Sequence, residues 1–170
     1  MAFRRLLPLI GAALGAWLLG IALMPGLLLI LDPFFFLYLT AVFLSPPSRP
    51  SWPTGLLFGG LKDLVSGGLF GLSFCAYGIV GCGLGFLQRS LEREDPIALG
   101  IWTAVLTVVK GGIAAFLVLL ADPEVTRIPA AGWGILLVQA VLHAGGMIWL
   151  LPKIARWTAL SGRRAVGGGA

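Results

Sequence analysis

Between Arg49 and Arg89 the chain carries only two charges, and they are adjacent: Lys62 and Asp63. Glycine pairs bracket them, Gly59-Gly60 before and Gly67-Gly68 after, in the run GGLKDLVSGG. Everything else in that stretch is apolar or uncharged. A charge isolated in lipid costs about 2.5–3.5 kcal/mol on insertion scales, so it persists where protein, water or a partner compensates it. Fold and function are expected to meet at this run.

Composition says why lipid is the relevant solvent. Charged residues make up 11% of the chain and hydrophobic residues 58%, with a mean hydropathy of +0.98. A soluble domain holds about 25% charged residues to keep its surface wet. The chain reads as an all-α integral membrane protein. Its net charge of +5 does not point to nucleic acid, because the cations gather at the ends of apolar segments and not along one polar face.

Six apolar segments follow one another: Leu6–Leu23, Pro25–Leu44 with an interruption at Asp32-Pro33, Thr54–Ser66, Leu69–Gln88, Ile97–Ala121 and Gly132–Leu151. The first segment alternatively runs on to Leu31, with the second starting at Pro33. The first reads as a retained span and not as a signal peptide. The third is only about 20 Å long as a helix, and merging it with the fourth gives about 50 Å, so a turn at Ser66-Gly67-Gly68 must separate them.

With six crossings and both termini cytoplasmic, Arg4, Arg5, Arg49, Arg89, Arg93, Lys153, Arg156, Arg163 and Arg164 share the cytoplasmic side. Only Arg127, beside Asp122 and Glu124, is left outside. That distribution follows the positive-inside rule. Trp52, Trp102, Trp149 and Trp157 fall near the inner interface and Trp133 near the outer one, whereas Trp17 does not fit the belt. Residues 1–160 form one transmembrane domain, and 161–170 are expected to be a disordered cytoplasmic tail.

Gly55, Gly59, Asp63 and Gly67 recur every fourth residue and share a helix face. Small residues let a second backbone approach, so Asp63 is expected in a helix–helix contact. Lys62 lies about 100° away and has a stem that reaches toward the cytoplasmic side. Lys110, Gln139 and His143 fall near the middle of the fifth and sixth segments. With Asp63 they form a candidate midplane cluster, open to three readings: an ion pair that fixes helix docking, a ligand or proton pathway, or no mutual contact.

Gly71, Cys75, Gly78, Cys82 and Gly85 form a small-residue line, expected to be a packing seam with buried thiols. Gly11/Gly15 and Ala12/Ala16 mark a further possible docking face. Catalytic patterns are weak. A single histidine excludes zinc held by a histidine pair, Ser66 and His143 lack the surroundings of an activated serine, and no phosphate-binding glycine loop is present. The expectation is a non-enzyme without cofactor or metal.

Gly60, Asp63, Ser66, Gly67, Gly71 and Leu72, followed by an apolar stretch with Tyr77, resemble the motif of the bacterial rod shape-determining MreD family. The likeness is specific over Gly55–Gly85. Lys62, Phe70 and the order Asp32-Pro33 depart from the family pattern. The resemblance implies a non-catalytic scaffold of the cell-wall elongation machinery in the bacterial inner membrane. Its implied partners are an MreC-like single-span protein and, indirectly, MreB and the RodA–transpeptidase pair that makes peptidoglycan. It also implies a fold similar to the six-helix substrate-binding subunits of energy-coupling-factor vitamin transporters, and such a subunit is the alternative function. The structural and interaction residues expected from the resemblance are Gly60, Asp63, Ser66, Gly67 and Gly71, and from the spacing and the midplane cluster Gly59, Gly68, Lys110, Gln139 and His143.

Overall fold

The computed structural model describes residues 32–46, 48–67, 69–87, 95–121 and 130–166, together with Gly11 and Gly15. The segment Leu6–Leu23 (those two glycines apart), Gly68 and the connection 122–129 lie outside the described residues. All regular structure among the described residues is helical, in five helices: α1 Pro33–Leu44, α2 Trp52–Ser66, α3 Leu72–Leu87, α4 Pro96–Ala121 and α5 Ala130–Val166.

Helix α1 starts where its sequence says it must. Asp32 is the N-cap and Pro33 holds the first helical position, where a missing N–H costs nothing. The Asp32 carboxylate accepts from Phe35 N at 3.1 Å, and its carbonyl accepts from Phe36 N at 3.0 Å. Ser45, in extended conformation, ends the helix ahead of Pro46. Of the two boundaries open for the second segment, this is the one at Pro33. At 12 residues α1 is about 18 Å long. Phe34, Phe35, Tyr38 and Leu39 are fully buried, so α1 forms the centre of the core.

Helices α2 and α3 form a tight antiparallel hairpin. Gly67 ends α2 in the left-handed region (φ 64°), and Gly71 at φ 96° precedes α3. Both values favour glycine. A Cβ on Gly55 would lie 2.5 Å from the Tyr77 carbonyl oxygen, and one on Gly59 would lie 2.7 Å from the Ser73 carbonyl carbon. Ser51 closes the other end of the hairpin by donating to the Gly81 carbonyl at 2.6 Å.

The small-residue line expected on α3 is split: Gly78 packs on α2, where a Cβ would lie 2.6 Å from Leu56 Cδ2, whereas the two thiols face away. Cys75 and Cys82 are exposed, and Ser73, Tyr77 and Gly81 join Gly78 on the face toward α2. Clearance comes from glycines of both helices, since a Cβ on Gly81 of α3 would lie 2.7 Å from Trp52 Cα.

Helices α4 and α5 form a second antiparallel pair, with Gly100 facing Ile148 and Gly111 facing Leu136. Pro96–Ala121 and Ala131–Leu150 are long and apolar enough to cross a membrane. Many large apolar side chains point outward, among them Leu64, Phe70, Phe86, Phe116, Leu137 and Val141, a continuous burden in water but a suitable surface for lipid. Helix α5 continues through Pro152 to Val166, past the start of the tail expected to be unstructured. Residues 159–165 include Ala159, Leu160, Arg163, Arg164 and Ala165, which favour helix irrespective of hydropathy.

Candidate functional site

The polar centre of the molecule is Asp32. One of its oxygens, Oδ2, receives three donors from three helices: Lys62 Nζ of α2 at 2.5 Å, the Tyr77 hydroxyl of α3 at 2.7 Å and Lys110 Nζ of α4 at 3.0 Å. The other, Oδ1, caps α1. A carboxylate so surrounded makes charge-assisted bonds in a low-dielectric interior, where they are strongest. Asp32 and Lys110 are both buried, while the Lys62 side chain keeps 24% of its surface exposed.

Aromatic rings frame the charges. Lys110 Nζ lies 4.9 Å from the centroid of Phe35, and Lys62 Nζ lies 5.7 Å from that of Tyr77. Phe35 meets Tyr77 edge-on at 5.1 Å, and Tyr77 stacks on Tyr38 at 5.9 Å. These rings shield the ion pairs from competing water and attract the ammonium groups through their faces.

Lys110 continues the network to α5 through Gln139 Oε1 at 3.4 Å. One turn along α4, Thr107 Oγ1 meets His143 Nδ1 at 3.2 Å. Thr107 Oγ1 also donates to the Thr103 carbonyl at 2.8 Å. His143 Nε2 and the Tyr38 hydroxyl are buried without a partner among the described residues. Phe35 and Phe36 pack beside the imidazole at 6.2 and 5.8 Å between ring centres.

Asp63 has a separate task. Its Oδ1 accepts from Ser73 N at 3.0 Å, and its Oδ2 accepts from Gly71 N at 2.9 Å and Phe74 N at 3.0 Å. It thus caps the start of α3 from the neighbouring helix, satisfying N–H groups that a helix cannot pair internally. Negative charge there also complements the helix dipole. The candidate cluster is corrected accordingly: Lys110 and Gln139 do meet, and His143 lies beside them, but their carboxylate is Asp32. Asp63 sits one turn before Gly67, so backbone donors reach it first. Lys62 also departs from the expectation, because its amine turns inward to Asp32.

The glycines divide by role. Gly59 faces the backbone of α3, Gly67 and Gly71 supply the turn, and a Cβ on Gly60 would meet only the Phe74 ring at 3.4 Å. Ser66 is the last, exposed residue of α2. A Cβ on Gly11 or Gly15 would meet nothing; Ala12 and Ala16 lie outside the described residues.

Asp32 and Tyr77 are the members of the centre that charge and spacing did not bring together. A signal existed. Asp32 is the only charge between Arg5 and Arg49, an isolation as telling as that of Lys62 and Asp63.

A cavity of about 180 Å³ lies between α4 and α5, lined by Gly111, Ala115, Trp133, Leu136 and Gln139 among others. No group of three or more potential metal ligands occurs among the described residues. Chemically, the centre is suited to locking helices against one another and to holding charge inside an apolar body. Comparison of the chain with protein-family models, curated proteins and solved structures yields no match.

Proposed function

We propose that the protein is a non-catalytic, six-span scaffold of the MreD type in the bacterial inner membrane, with both termini cytoplasmic. In this role it binds an MreC-like single-span protein, and through it MreB and the RodA–transpeptidase synthase. The observation that carries the reading is the cap that Asp63 places on α3. The residues on which the resemblance rests (Asp63, Gly67, Gly71) are the ones that build the α2–α3 hairpin, with Gly59 clearing its path. A hairpin held this way presents a fixed surface, as a scaffold requires.

The central charges support the same reading, since Asp32 is saturated by groups of the chain itself. Affinity purification from native membranes tests it. Recovery of a single-span protein with a coiled-coil domain is the expected result. Recovery of transporter ATPases together with a bound vitamin overturns it and favours the substrate-binding subunit of an energy-coupling-factor transporter. The cavity beside Trp133 and Gln139 is the observation on which that second reading rests.

A further inference from the structure

We propose that Lys62 receives a carboxylate from a transmembrane helix of a partner protein. The inference deepens the scaffold reading and rests on it for the existence of a helical partner. It starts from charge balance at the centre, where two lysines face one aspartate.

The remaining acids among the described residues do not restore the balance. Asp63 is engaged by the amides of α3. Asp95 caps the start of α4, where it accepts from Ile97 N, more than about 20 Å along the helix from Lys110. Glu92, Glu94, Asp122 and Glu124 lie outside the described residues. One positive charge therefore has no counter-charge among the described residues.

Lys62 is where that charge is accessible. Lys110 is enclosed and bonded to both Asp32 and Gln139. Among the described residues Lys62 has one acceptor for its three N–H donors, and 24% of its side chain is open. Lys62, Val65 and Ser66 share one face of α2, and both Val65 and Ser66 are exposed. Leu69 and Phe70, just past the turn, are exposed as well. An amine at the margin of an apolar surface, with small Ser66 and Gly67 beside it, suits a helix that is apolar except for one acid. In such surroundings the acid gains a charge-assisted bond and the surplus cation gains its partner.

The test uses the full chain in liposomes with synthetic single-span Leu/Ala peptides carrying one central Glu or, as control, one Gln. Association is read by energy transfer. The Glu peptide is expected to bind about tenfold more tightly, the scale of one interhelical polar bond. Lys62→Gln should abolish the preference and Lys62→Arg should retain it. Lys110 still holds Asp32 in both variants, and thermal unfolding verifies that they fold. Equal binding of the two peptides, or a preference that survives Lys62→Gln, overturns the proposal. So does acetate that matches the peptide in a Lys62-dependent thermal shift, which identifies a free carboxylate as the ligand. Loss of the preference with co-purification intact removes this contact alone. Loss of co-purification with the preference intact supports the carboxylate site and removes the scaffold reading.

Discussion

Asp32 and Lys110, 78 positions apart in the chain, meet at 3.0 Å in the buried centre of the helical bundle. Lys62 and Tyr77 converge on the same carboxylate oxygen, so one atom of Asp32 joins α2, α3 and α4 to the start of α1.

Removing that anion should cost far more than removing one of its cations. Asp32→Asn leaves two lysines with no counter-charge, and a broken buried pair costs about 3–5 kcal/mol. Lys110→Met keeps the stem volume and leaves Asp32 with Lys62 and Tyr77, so stability should stay within about 1 kcal/mol of the original chain. Thermal unfolding in detergent compares the two. Equal losses would show that surplus charge is not what governs the centre.

The cap on α3 should be detectable locally. Asp63→Asn replaces one acceptor oxygen by a donor amide facing backbone N–H groups. The expected loss is about 2 kcal/mol, with faster hydrogen exchange at Gly71, Ser73 and Phe74 than elsewhere in α3. Unchanged exchange at these amides, together with unchanged partner recovery, would contradict the role given to Asp63.

Neighbouring glycines should respond oppositely. Gly59→Ala sets a methyl against the Ser73 backbone, which no rotamer change relieves, and overpacking of this kind costs about 1–3 kcal/mol. Gly60→Ala meets only the Phe74 ring at ordinary contact distance and should be neutral or slightly stabilising through its gain in helix propensity. The melting temperatures of the two variants decide the matter.

Cys75 and Cys82 should react without unfolding. Both lie on the outer face of α3, so a lipid-soluble pyrenyl maleimide is expected to label two thiols per folded chain in detergent, counted by mass spectrometry. Labelling that required denaturant would return them to a packed seam.

Spacing in the chain reveals faces well and mutual rotation poorly. The run Gly55, Gly59, Asp63, Gly67 identified the packing side of α2, because a four-residue repeat is a property of one helix. Proline and glycine placed the start of α1 and the end of α2. Lys110, Gln139 and His143 were legible as residues of one depth. Which carboxylate would reach them was not, since Asp32 and Asp63 are both isolated acids and only the crossing of the helices separates them. The thiols were misplaced for a related reason: small residues line more than one side of α3, and the Asp63 bonds to Ser73 and Phe74 select the side that turns inward.

The order of residues around Asp32 also bears on biogenesis. Asp32 is synthesised 30 residues before Lys62 and 78 before Lys110. At about 5–20 residues per second, the ribosome supplies the second cation roughly 4–16 s after the acid. Through that interval the Asp32 carboxylate is first without either cation and then has only Lys62. The Asp32 centre therefore cannot close before α4 has emerged, and its link through Lys110 to Gln139 waits for α5.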